Sequence, residues 1–263
     1  KKLIISNPIL IELLKRKAPD LDIQIELSTI LHVDTPMQIL AYKQLDERVA
    51  RVVSNILYNR DFRKLRAFVL ACKRAGVEYE VMVNEFCLTA TGKQEIPIAA
   101  HCVFRDSCYN CHAGNKDKSD ATSLHNYPMG KCMTSRAFMA ADWLRTYTCR
   151  PQDLHMYESI GINHFKVTGR TGTTDYILTM ADAYLGRQFN GNYLELWKPL
   201  QTIYNNKPEA DHKHPFNLPT EDMTGFMTPF FTGAIDCNSI FCDQCRYCDD
   251  WADKLMRRAA EKS

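Results

Sequence analysis

Along the first 85 residues, short apolar runs alternate with amphipathic stretches. Leu3 to Ser6 and Ile23 to Ser28 read as strands, and helical patterns open behind them at Pro8 and Pro36. Proline suits the first helical turn, where its missing N–H costs nothing, and Asn7 and Thr35 stand where capping side chains belong. Val49 to Ser54 repeats the strand pattern. A helix follows from about Asp61 to Ala75, stopped by Gly76 at the position that favours a left-handed residue. Tyr79 to Val83 then reads as the next strand. Strands alternating with helices build a parallel sheet with crossover helices, so the expected class is α/β.

From Asn84 to about Arg150 this rhythm stops, and six cysteines and three histidines appear among small polar residues. It resumes with a helix at Gln152 to Ser159, a strand at His164 to Val167 and a helix from Thr174 to about Arg187. A tail with several prolines, 198–229, leads to four cysteines and a helix from Asp249. The expected organisation is a β/α barrel portion over 1–190 carrying a cysteine-rich insertion at 84–150, then a metal-binding tail over 191–263. The strand–helix steps are too few to close an eight-stranded barrel. The chain also opens on a strand without a methionine, so the barrel is expected to be incomplete at its N-terminus, lacking roughly 90 residues at about 30 per unit. The outer edge of Leu3 to Ser6 is then expected to pair with chain outside this numbering.

Composition narrows the chemistry only slightly. With 45% hydrophobic and 24% charged residues, a packed core needs no cross-links, and a formal charge of +2 makes no case for nucleic acid. Eleven cysteines in so long a chain do not resemble the disulfide framework of a small secreted domain. The apolar start is interrupted by Ser6-Asn7-Pro8 without a cleavage site, and no run reaches the roughly 20 apolar residues of a membrane span. The expected compartment is the reducing cytoplasm, where clustered thiols serve metal or redox chemistry.

The sharpest motif is Cys237-x4-Cys242-x2-Cys245-x2-Cys248. Thiolates two residues apart on a turning backbone can face one centre, and both zinc and iron–sulfur clusters accept four of them. The other reading is four free thiols on a loop. Cys87, Cys102, Cys108, Cys111 and Cys132 fit no simple ligand spacing, but they follow a strand, where the loops of a β/α barrel gather at the active face. Cys72 in mid-helix and Cys149 before Arg150-Pro151 read as structural thiols.

Several segments carry a resemblance. Asn84-Glu85-x-Cys87-Leu88, Cys102-Val103-Phe104-Arg105, Tyr127-Pro128 leading to Cys132, Pro151-Gln152-Asp153-Leu154 and Phe165-Lys166-Val167-x-Gly169-Arg170 resemble the collagenase-like peptidase family U thirty-two. Asn7-Pro8-Ile9-Leu10, Glu26-Leu27-Ser28-Thr29 and Asn59-Arg60-Asp61-Phe62 are similar to its barrel, and Cys242-x2-Cys245-Arg246-Tyr247-Cys248 looks like the tail of one branch. The resemblance implies a TIM-type barrel and, as in RNA-hydroxylation members and the UbiU and UbiV pair, a 4Fe-4S cluster. Its ligands by motif are Cys87, Cys102 and Cys132, with Cys108 or Cys111 as the fourth. An insertion between Cys87 and Cys102 departs from the family pattern and leaves that fourth ligand open.

The function this implies is oxidative modification, a hydroxylation of RNA or of a quinone or small aromatic precursor, with a partner subunit of the same family. Glu85, Arg105, Lys166 and Arg170 are the candidate catalytic residues. Lys166 and Arg170 flank a strand end that opens on a barrel mouth. Gly169 to Thr173 reads either as a phosphate-binding loop or as a plain tight turn. Glu85 and Arg105 either tune the cluster or bind a carboxylate substrate, the other reading being a structural ion pair. His101 and His112 are read as neither ligands nor acid–base groups. The alternatives are a non-catalytic cluster or zinc subunit and a metal-dependent peptidase. The sequence contains no nucleophile elbow, HExxH or phosphate-loop motif.

Overall fold

The computed structural model describes residues 1–84, 139–169, 172–197, 214 and 216–261. Five parallel strands lie in sequence order: β1 (Lys2–Ile5), β2 (Gln24–Leu27), β3 (Val49–Val53), β4 (Glu78–Met82) and β5 (His164–Lys166). Between them run α1 (Pro8–Lys17), α2 (Pro36–Leu45) and α3 (Phe62–Ala75). Asn7 accepts the Ile9 N–H at 2.9 Å, and the Gln38 amide accepts the N–H groups of Asp34 and Thr35, so both proline-led helices start where the sequence places them. Asp61 caps α3, and Gly76 ends it at φ 64°, the left-handed conformation that costs glycine no Cβ clash. Each element lies within two residues of its expected bounds.

The sheet has two unlike faces. Ile25, Leu27, Val52 and Val81 are fully buried, joining a core that includes Ile11 of α1, Ile39 of α2 and Leu65 and Phe68 of α3. On the alternate positions Arg51 bridges neighbouring strands. Its guanidinium lies 3.3 Å from Glu26 and 3.7 Å from Glu80 and donates to Glu78 through Nε at 2.9 Å, while Lys2 and His164 extend the row. Burial pushes the Glu80 carboxyl above its usual range, and the hydrogen bond from Arg51 holds Glu78 below its own.

β1 bonds to β2, and β5 to β4; β1 and β5 do not pair with each other. Among the described residues the sheet is therefore open. Leu3 and Ile4 are 42% and 53% exposed. No helix of the described residues is long and apolar enough to cross a membrane.

After the segment that interrupts the rhythm, α4 (Ala140–Leu144) enters the core, followed by α5 (Leu154–Ser159) and, beyond β5, α6 (Thr174–Gly186). The tail adds α7 (Thr228–Thr232), the single turn α8 (Cys242–Cys245) and α9 (Tyr247–Glu261). Trp143 and Trp197 pack with ring centroids 5.5 Å apart, joining the stretch before β5 to the tail within one hydrophobic core. Asn84 ties the ends of β4 and β5 together: it accepts the Thr168 N–H at 2.6 Å and donates to the Thr168 carbonyl at 3.0 Å.

Candidate metal centre

Strand ends decide where the cysteine-rich tail sits. β3 runs into a 3-10 turn, Ile56–Tyr58, which brings Asn59 and Arg60 over the carboxyl end of the sheet. Asn59 donates to the carbonyls of Met82 and Tyr147 and fixes this turn on β4 and on the stretch behind α4. Arg60 is 4% exposed. It donates to the Leu144 carbonyl, and its guanidinium lies over the rings of Phe230 at 4.9 Å and Phe226 at 5.2 Å.

The cysteines meet this group from the other side. Cys242 and Cys245 share the turn α8, in which the Cys245 N–H donates to Phe241 and the Arg246 N–H to Cys242. Arg246 then takes φ 52° and reverses the chain into α9. Cys248 thereby sits in the first turn of α9, its sulfur 4.0 Å from Nη1 of Arg60 and 3.9 Å from the Leu144 oxygen. Cys237 arrives from the loop after α7. The four thiols line one cavity of about 30 Å3, together with Arg145 and Phe230. Arg145 is itself held at 2.6 Å by both Asp142 and Asp249, which clamps α4 to α9.

Burial pushes the Cys248 thiol up to about 12 and Cys237 up to about 11, with the charge of Arg60 pulling the other way. Cys242 is also raised by burial, opposed chiefly by Arg145. All four are free thiols. The donor set fits a thiolate-bound metal in its chemistry: four soft ligands and a buried cation share one space. The geometry is not that of a finished site. Among the described residues, no three His, Cys, Asp or Glu side chains are gathered into a metal-holding group.

The other sequence-derived candidates separate clearly. Glu85, Cys87, Cys102, Arg105, Cys108, Cys111, Cys132, His101, His112 and Arg170 lie outside the described residues. Lys166 ends β5, and its charge acts on Glu80 along the polar sheet face. Gly169 has φ 111°, accepts the Gly172 N–H at 2.7 Å, and would bring a Cβ within 2.6 Å of the Tyr176 ring. Cys72 and Cys149 are buried core thiols, each pushed to about 12 by burial, and Cys149 lies 3.1 Å from the Tyr157 hydroxyl. Arg60 and Arg145 are the residues that sequence reasoning passed over. The available signal was an arginine set between Tyr58 and Phe62 directly behind a strand.

Among known proteins, the chain is similar to one named an uncharacterized protease, from Methanocaldococcus jannaschii. The two are 23% identical over 256 residues, which cover 96% of this chain and 65% of the relative. The chain therefore spans just under two thirds of that relative's length. No family model matches the chain. No solved structure matches it.

Proposed function

We propose that Cys237, Cys242, Cys245 and Cys248 hold a metal as thiolates at the carboxyl end of the sheet, and that the chain is a metalloprotein of oxidative modification chemistry. The observation that carries this reading is the shared cavity of four free thiols against the buried Arg60. Four thiolates converging from one turn and its flanks are the ligand set of a structural zinc ion, and a cluster is the other occupant such a set accepts. Such a closed four-thiolate site is structural and fastens the tail over the strand ends.

The catalytic part of the proposal rests on the resemblance to family U thirty-two. A 4Fe-4S cluster on Cys87, Cys102, Cys132 and Cys108 or Cys111 would supply the electron chemistry of hydroxylation. Lys166, Arg170, Glu85 and Arg105 would position an RNA or a quinone or aromatic precursor, in a reducing compartment and alongside a subunit of the same family. Anaerobic purification with iron, sulfide and zinc analysis tests both parts. Four irons with matching sulfide, plus one zinc, is the expected content; protein free of iron and zinc contradicts the proposal.

The name of the archaeal relative favours a second reading, peptide hydrolysis. Cleavage of a denatured collagen substrate by the purified chain, abolished by chelation, would select it.

A further inference from the structure

We infer that Arg60 is the built-in counter-ion of the tail's thiolate centre, a positioning residue that selects for an anionic metal complex beside Cys248. The inference rests on the metal-site reading above and adds to it a residue that ligates nothing.

Arg60 is a buried cation with an unusual set of neighbours. Arginine stays protonated in proteins, so the charge cannot be shed as a buried lysine would shed it. Elsewhere in this molecule buried arginines are matched by carboxylates: Arg145 by Asp142 and Asp249, Arg150 by Asp153. Among the described residues no carboxylate reaches Arg60. The groups that act on it electrostatically are Cys248, Tyr193, Cys237 and Tyr147, none of them a carboxylate. Its Nε is buried without a hydrogen-bond partner, and its Nη1 points to Cys248 at 4.0 Å, in range of a weak N–H···S contact.

An unmatched buried charge is strongly unfavourable, so the site requires an anion that the free thiols do not provide. Metal binding provides it, because thiolate ligands release their protons. Four thiolates around a divalent ion carry a net charge of −2, and Arg60 offsets half of that charge directly at one sulfur. Arg145 also acts on Cys242, but it is already paired with two aspartates. The rings of Phe226 and Phe230 lie over the guanidinium on its other side.

The test uses the full chain, freed of metal and titrated with Co2+ under anaerobic conditions against a chromophoric chelator. The tail site is defined as the binding lost in the double variant C242S/C245S. R60M is expected to weaken Co2+ binding at that site at least tenfold and to move the sulfur-to-cobalt absorption to longer wavelength. R60K should recover part of both effects, which a merely structural role would not produce. R60Q, which keeps a donor for the Leu144 carbonyl, takes the place of R60M if the latter does not fold. Wild-type affinity and absorption in the folded R60M or R60Q chain, with the site still lost in C242S/C245S, would overturn the role of Arg60 alone. Unchanged Co2+ binding in C242S/C245S would overturn the metal site itself, and the inference with it.

Discussion

The guanidinium of Arg60 stands 4.0 Å from the sulfur of Cys248, across the gap between the loop after β3 and the first turn of α9. Residues 188 apart in sequence thus form the contact on which the functional reading turns. It also predicts opposite behaviour with and without metal. In the metal-free chain, R60M removes an unmatched buried charge and should be neutral or stabilising by about 1–2 kcal/mol, as apolar replacements of buried ions often are. In the metal-loaded chain the same change should lower stability. Paired thermal melts with and without Zn2+ check the crossing.

Cys149 offers the complementary control. It is fully buried beside Tyr157 and distant in role from the tail thiols, so Cys149→Ala should cost about 1–2 kcal/mol through a small cavity and a lost contact. Metal content should not change. Denaturant unfolding together with metal analysis of the variant checks both halves.

Asn84 is the last described residue before the cysteine-rich segment, and it is 2% exposed. Its amide bonds Thr168, Tyr176 and the Leu196 carbonyl, so Asn84→Ala strands several buried polar groups at the strand ends. A loss of about 2–4 kcal/mol is expected, seen as a lower urea midpoint with unchanged slope.

The polar face of the sheet predicts a pH dependence. The hydrogen bond from Arg51 holds the Glu78 carboxyl below its usual 4.5, so this pair stabilises the fold above that value and ceases to as pH falls through the depressed one. R51M should therefore cost about 1–2 kcal/mol near neutral pH, where Glu26, Glu78 and Glu80 lose their shared partner. The difference from wild type should shrink below about pH 4, as ordinary carboxyls protonate. Urea unfolding of both chains at neutral and acid pH checks the slope.

Much of the fold was readable because its signals are local. Asn7 and Pro8, Asp61 and Gly76 mark helix ends with side chains and backbone preferences that act within a few residues, and the observed helices respect them. The tail motif was readable for the same reason, since Cys242, Cys245 and Cys248 share one turn and the start of the next helix. What escaped is non-local. α4 is five residues long and holds the charged Asp142 in a fully buried position, a pattern that looks like surface until Arg145 and, 104 residues further on, Asp249 complete it. Arg60 reads as an exposed charge before α3, because the rings of Phe226 and Phe230 that enclose it come from the far end of the chain.

The central claim is that the four tail thiols bind a metal, and its most direct test is the metal content of the wild-type chain against C242S/C245S, both purified anaerobically. The difference isolates the tail from any cluster held by the other cysteines. One zinc equivalent per chain, as a four-thiolate structural site holds, should be present in the wild type and absent from the variant, with iron and sulfide equal in the two. Equal zinc and iron in both chains would contradict the account.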